Sequence, residues 1–266
     1  METFDAPDGT RLAYHRTGSG HPLICLPGGP MQDSSYLADL PLRRAAVRLD
    51  LRGTGDSAAP ADPGTYRCDR QVGDVEALRR HLGLDRIDIL AHSAGATIAV
   101  LYAMRHPGRV ARLALITPSP RPVAVEVTDD DRRAVADRRR DEPWFADASA
   151  ALDRIHAGAA TGADRDAIAP FVYGRADFPA IPRNEEAAKA YYGEGAFDPA
   201  EVRAGLAAVE APVLLVAGEL DIQLPPHRAA EYAPLFPAGE AAVVPGAAHV
   251  PWRDDSERFV VLLEAW

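Results

Sequence analysis

Three residues in this chain have the types and the order that nucleophilic acyl transfer requires. Ser93 is the centre of LAHSAGA (90–96), Asp221 ends the run PVLLVAGELD (212–221), and His249 lies within VPGAAHVPW (244–252). A serine hydroxyl becomes a useful nucleophile only when a neighbouring base takes its proton, and that base needs an acid to orient it. The stretch around Ser93 comes within one residue of G-x-S-x-G, the strand-to-helix turn that presents a serine Oγ free of its surroundings. The departure is Ala91, which stands where the first glycine belongs. Small residues are needed there because the strand and helix backbones nearly touch. Gly95 meets that need on one side, and the Ala91 methyl is expected to fit against the neighbouring strand.

The base is chosen among the histidines downstream of Ser93. His106 precedes a proline at a helix end and reads as structural. His156 lies in a polar segment, and His227 follows Pro225-Pro226 at the start of a helix. Only His249 falls in a loop between a strand and a helix, where a side chain would reach the carboxyl edge of a sheet. Asp221 is the acid by the same argument, since its strand runs directly into it; Glu219 competes but comes earlier in the turn. A tetrahedral intermediate also needs two backbone N–H donors aimed at its oxyanion. Ala94, just after the serine, supplies one. Gly29 in LICLPGGPMQDSS (23–35) is the candidate for the other, and Gly29-Pro30 is a natural place for a cis peptide.

These loops need a scaffold, and the hydrophobic pattern provides one. Asp8-Gly9 marks a hairpin near the N-terminus. Short apolar runs typical of buried parallel strands follow at 23–26, 45–51, 87–92, 113–117, 212–218 and 241–246. Helical patterns alternate with them. One covers DRQVGDVEALRRHLG (69–83), with Asp69 as expected N-cap and Gly83 as stop; others lie at 94–105 and at the C-terminal DDSERFVVLLEAW. The fold class is α/β, a mostly parallel, doubly wound sheet. From 121 to 205 no strand-like run occurs, only polar, Ala-rich helical stretches. The expected organisation is a core of 1–120 and 206–266 with a helical cap at 121–205 inserted between two strands. The aromatic residues of that insertion, Trp144, Phe145, Phe171, Tyr173, Phe178, Tyr191 and Tyr192, are expected mainly to pack within it, some of them lining the pocket.

Composition narrows the function classes. The chain has 266 residues and a formal net charge of −10, which argues against nucleic acid, whose binding depends on Lys and Arg contacts to phosphate. Lys189 is the one lysine, so Schiff-base chemistry is not expected. No apolar run reaches the ~20 residues of a membrane span, and the N-terminus lacks the features of a signal peptide; a cytoplasmic location is the expectation. Cys25 and Cys68 belong to no metal-binding spacing. GTGDSA (53–58) fits G-x-G-x-x-A but runs into APADPGTY, which cannot continue as the helix that a dinucleotide site needs. No cofactor and no metal is expected, and the partner is a small-molecule substrate.

Taken in order, LPGGP (26–30), DLRGTGDS (50–57), LAHSAGA, GELD (218–221) and GAAHVPW (246–252) resemble the α/β-hydrolase superfamily across essentially the whole chain. The resemblance implies a Ser93–Asp221–His249 triad, an oxyanion hole of Gly29 and Ala94, and Asp50 and Arg52 as braces behind the site. The loop motifs look most like the proline iminopeptidase branch, although Pro27 replaces that branch's usual histidine and Ala94 its tryptophan. An iminopeptidase would also use cap acids to hold a free amino group, and Glu185, Glu186 or Glu194 are the candidates. The expected activity is a cofactor-independent serine hydrolase cleaving a small ester, thioester or amide through an acyl-enzyme. A proline iminopeptidase-like aminopeptidase is the alternative, ahead of a cofactor-free lyase or ligand-binding protein.

Overall fold

A computed structural model describes residues 1–174 and 181–266 of the chain. Among these, eight strands form one sheet: β1 (Glu2–Asp5), β2 (Arg11–Thr17), β3 (Leu23–Leu26), β4 (Ala46–Leu49), β5 (Ile87–His92), β6 (Val110–Ile116), β7 (Val213–Gly218) and β8 (Gly239–Val244). Their order is β1-β2-β4-β3-β5-β6-β7-β8. The pairs β1–β2 and β2–β4 are antiparallel, and every pair from β4–β3 onward is parallel. The first hairpin turns at Asp8-Gly9, where Gly9 takes a positive φ of 81° and the Asp8 carboxylate accepts from the Thr10 N–H.

The central strands are mostly apolar because both of their faces are covered. On β5, Ile87, Ile89 and Ala91 join one cluster and Leu90 the other; on β3, Ile24 and Leu26 face opposite to Leu23 and Cys25. The same period of two sorts Leu113 and Leu115 of β6 from Ala114 and Ile116. The first face is covered by α1 (Cys68–His81) and α2 (Gly95–Arg105). Helix α1 begins one residue before the expected cap. Asp69 lies in its first turn and binds the Arg67 guanidinium at 2.9 and 3.0 Å, so its carboxylate serves an ion pair instead of the helix end.

Between β6 and β7 the chain runs through α3 (Asp129–Ala136), α4 (Phe145–His156), α5 (Gly162–Ala167), α6 (Ala169–Tyr173), α7 (Glu185–Ala190) and α8 (Pro199–Leu206). Helices α3 and α5 each open on a Thr/Asp capping box, Thr128 with Asp131 and Thr161 with Asp164. Val135, Ala148, Leu152 and Phe171 form a small cluster of their own, joined by Ile222 from the loop after β7. Ala187, Tyr191, Val202 and Leu206 instead enter the main cluster over α1 and α2. The helical segment therefore divides in packing, its first part resting on itself and its last part on the core. After β7, α9 (Pro226–Tyr232) covers the α1–α2 face, while α10 (Pro251–Asp254) and α11 (Ser256–Ala265) send Trp252 and Phe259 to the opposite one.

Candidate active site

Ser93 follows β5 directly and takes φ 51°, a left-handed conformation that a non-glycine residue adopts at a cost of about 1–3 kcal/mol. The surroundings hold it there. Its N–H donates to the Ile116 carbonyl at 2.9 Å, and its own carbonyl accepts from Ala96 and Ser119 at 3.1 and 3.0 Å. Gly95 is sterically obligatory, since a Cβ at that position would lie 2.3 Å from the Pro27 carbonyl oxygen. Ala91 is different. It sits in register between Leu26 and Leu115, fully buried, with its methyl in the apolar cluster of Ile87 and Ile89.

Two loops from distant parts of the chain meet this serine. His249, between β8 and α10, places Nε2 2.8 Å from Ser93 Oγ and Nδ1 2.9 Å from Asp221 Oδ2. Asp221 is completely buried, and its second oxygen accepts from the Gln223 N–H at 2.8 Å. A carboxylate only accepts, so the network assigns the imidazole proton to Nδ1 and leaves the Nε2 lone pair facing the serine O–H. Glu219 is engaged elsewhere: it pairs with Arg138 at 2.6 Å and accepts from the Gly246 N–H at 2.7 Å. His106 packs on Tyr102, His156 faces Asp129, and His227 bonds Asp131 at 2.8 Å.

A second histidine, which the sequence pattern does not single out, anchors the first. His92 Nε2 lies 2.9 Å from the His249 carbonyl oxygen, and its Nδ1 lies 2.8 Å from the Tyr36 hydroxyl. Tyr36 in turn accepts from the Gly28 N–H at 2.7 Å. Because the His249 carbonyl can only accept, His92 donates from Nε2 and accepts the Tyr36 proton at Nδ1. One chain of donors thus ties the Gly28 loop to the His249 backbone, and Thr117 Oγ1 adds a further bond to the same carbonyl at 2.9 Å. Tyr36 and His92 are 56 positions apart, and neither pattern nor periodicity links them.

Burial, reinforced by the nearby His249, holds His92 neutral well below its ordinary value of 6.5. The sign for stability follows. As pH falls below 6.5, the unfolded chain takes up this proton and the folded chain does not, so folding weakens. We expect the wild-type unfolding free energy to fall between pH 6.5 and about 5, with a His92 contribution of at most about 1.4 kcal/mol per pH unit. His92→Asn, though less stable throughout, should show a shallower slope in chemical denaturation across that window. An unchanged slope would assign the acid sensitivity to other groups.

The PGGP loop approaches Ser93 from the other side. Gly29 has φ 116°, open to glycine but hardly to other residues, and the Gly29-Pro30 peptide is cis. Gly29 and Ala94 line a cavity of about 340 Å³ together with Ser93 and His249, and no described residue accepts a hydrogen bond from either N–H. Tyr191, buried in the main core, donates to the Ala94 carbonyl at 2.8 Å and so steadies the start of α2. Of the other aromatic residues, Tyr192 lines this cavity and Tyr173 a smaller one beside it. Trp144, Phe145 and Phe171 pack among themselves, and Phe178 lies outside the described residues. Glu185, Glu186 and Glu194 are exposed and none lines the cavity. Arg121 and Arg132 do line it, and nothing in their sequence context marks them.

Behind the site, Asp50 is buried and accepts from the Ser34 and Asp56 N–H groups and from His15 Nε2. Burial alone would raise its pKa; hydrogen bonds from Ser34, Asp56 and His15 outweigh this and hold it below the usual carboxylate range. Arg52 reaches Asp74 at 2.8 Å and Asp8 at 2.7 Å. Asp50 therefore ties neighbouring loops together, and Arg52 ties its loop to the Asp8 turn and to α1. Among the described residues, His15, Asp50 and Asp56 form the one group able to offer three metal-ligand atoms, and the Asp50 oxygens there are already engaged by these braces.

Comparison with known proteins agrees with this fold. A family model described as alpha/beta hydrolase fold matches residues 21–252. The chain is 24% identical to a proline iminopeptidase of Heyndrickxia coagulans, over 98% of this chain and 96% of that protein. It is 30% identical to an N-formylmaleamate deformylase of Pseudomonas putida, over 96% and 94%. Among solved structures, an esterase from Exiguobacterium antarcticum superposes with a TM-score of 0.73 at 20% identity, covering 99% of this chain and 97% of that one. A proline iminopeptidase of Mycobacterium smegmatis gives 0.71 at 24% identity, covering 98% and 96%.

Proposed function

This chain belongs to the alpha/beta hydrolase fold family, and on that premise we propose that it is a cofactor-independent serine hydrolase acting on a small ester, thioester or amide. Ser93 is the nucleophile, His249 the base and Asp221 the acid that orients it. The carrying observation is the continuous pair of contacts, 2.8 and 2.9 Å, from Ser93 Oγ through His249 to a fully buried Asp221. As Oγ attacks the substrate carbonyl carbon, its proton passes to His249 Nε2. The carbonyl oxygen gains the negative charge between the Gly29 and Ala94 N–H groups. Collapse breaks the bond to the leaving group, which takes the proton from His249 and departs, leaving an acyl ester on Ser93. Water then gives a proton to the same nitrogen as it attacks the acyl carbon, and the acid leaves with Ser93 restored. In this reading the helices between β6 and β7 act as the cap over the substrate.

A second reading, an aminopeptidase releasing N-terminal proline, is favoured by relatives across 96–98% of the chain that bear the name proline iminopeptidase. Such an enzyme needs carboxylates to meet a free amino group. The cavity beside Ser93 has none among its described lining residues, which favours the acyl hydrolase. The two separate on substrate: kcat/KM for p-nitrophenyl acetate and butyrate should exceed that for Pro- and Ala-p-nitroanilide by at least about 100-fold, a difference of nearly 3 kcal/mol in transition-state stabilisation. The reverse order would replace the first reading by the second.

A further inference from the structure

The cavity beside Ser93 is unbalanced in charge. Its described lining includes Arg121 and Arg132 and no Asp or Glu. Two other charges of helix α3 have partners: Arg133 pairs with Asp153 at 2.5 Å, and Asp131 is held by Arg228 at 2.8 Å and by His227. Arg132 alone among these turns to the cavity. Its one hydrogen bond to a described residue runs from Nη1 to the Ile222 carbonyl at 3.4 Å, and no described carboxylate lies within ion-pair distance of it. A guanidinium has five N–H donors in a fixed fork, so most of the fork of this cavity-lining arginine is unused by described residues. Burial pulls the Arg132 pKa down, partly offset by Asp129, Asp221 and Asp131 further off. Arg121 is placed at the rim, its guanidinium 4.9 Å above the Tyr192 ring, while the Tyr192 hydroxyl donates to Ser119 Oγ at 3.2 Å. Arg121 also lacks a described carboxylate partner.

A half-buried, unpaired cation is stabilised by whatever anion enters beside it. We propose that this cavity selects substrates that carry a carboxylate a few atoms from the scissile carbonyl, bound by the Arg132 fork and assisted by Arg121 at the rim. This specificity rests on the serine-hydrolase reading above. A monoanion fits better than a phosphate dianion, because Asp129 on the same helix and Asp221, one residue before the Ile222 carbonyl that Arg132 binds, offset part of the Arg132 charge.

The test uses two pairs of esters that differ in one charge. One pair is the 4-nitrophenyl monoester of glutaric acid and its methyl-capped diester, with the carboxylate on the acyl side. The other is 4-acetoxybenzoate and methyl 4-acetoxybenzoate, with the carboxylate on the leaving group. In at least one pair the anionic member should show a kcat/KM about tenfold or more above its neutral partner, falling as salt rises. Arg132→Gln should reduce that ratio to near one, Arg132→Lys should keep part of it, and Arg121→Gln should reduce it less. Arg133→Gln, which makes the same charge change one residue away, should leave the ratio as it is. A thermal shift of the Ser93→Ala protein with glutarate, absent when Arg132→Gln is added and weaker with inorganic phosphate, reads the same site without turnover. Equal kcat/KM within both pairs would overturn the proposal. So would a ratio that survives loss of both arginines, or a larger shift with phosphate than with glutarate. If Arg132 merely balances the Asp221 charge, Arg132→Gln slows both members of a pair equally, and that too overturns it. Binding of glutarate without hydrolysis of any ester would instead refute the hydrolase reading and leave the anion site standing.

Discussion

Ser93→Ala should lower kcat on p-nitrophenyl esters by about 10⁴- to 10⁶-fold while leaving a folded protein. The size follows from what one oxygen does. Among the described residues, Ser93 Oγ is the only atom within hydrogen-bond distance of His249 Nε2, so without it the proton transfer and the covalent bond of the proposed mechanism are both lost. On the proposed mechanism what remains is water attack on a carbonyl held by two N–H groups, for which residual rates of about 10³–10⁴ over solution are expected. The fold should tolerate the change because the contacts that shape the turn come from the Ser93 backbone, to Ile116, Ala96 and Ser119. Steady-state kinetics with a matched thermal melt checks both halves of the statement. A variant that kept a tenth of the wild-type rate would remove Ser93 from the mechanism.

Asp221→Asn should cost about 10⁴-fold in kcat with the geometry nearly unchanged. The reason lies in the two bonds the carboxylate accepts, one from His249 Nδ1 at 2.9 Å and one from the Gln223 N–H at 2.8 Å. An asparagine has one oxygen to offer. If it faces Gln223, its NH₂ faces His249 and forces the imidazole proton onto Nε2, where it blocks the serine. If it faces His249, the NH₂ is set against the Gln223 N–H in a fully buried position, leaving both donors unsatisfied. Glu219→Gln makes the comparison, since Glu219 bonds Arg138 and Gly246 and does not touch His249. It should lose less than about tenfold, as expected for a residue that acts only on loop position. Equal losses at the two positions would contradict the assignment of Asp221.

Much of this scaffold is legible in the sequence because parallel strands covered on both faces leave a strong signal. LICL and PVLLVAG are apolar at every position and IDILAH at all but Asp88 and His92, and the strands β3, β5 and β7 lie on them almost residue for residue. Element ends are read less well where side chains have competing partners. Asp69 has the composition of a cap but is drawn to Arg67. The candidate site divides in the same way. Ser93, Asp221 and His249 stand out because each follows a strand, and topology brings strand ends to one edge of the sheet. His92 and Tyr36 do not, because a buried donor chain spanning 56 positions and then 157 depends on packing that no local pattern encodes. Arg121 and Arg132 are missed for a related reason. In a chain with 29 basic residues, what distinguishes them is a place in the lining of the cavity beside Ser93, which only tertiary structure reveals.

The most direct measurement is the mass of the intact protein after reaction with a fluorophosphonate, followed by peptide mapping of the adduct. A single adduct should form on the peptide containing Ser93. It should be absent from Ser93→Ala and form far more slowly in His249→Ala, because the probe reports the activated nucleophile itself. An unlabelled wild-type protein, or an adduct on any residue other than Ser93, would contradict the assignment of Ser93 as the nucleophile.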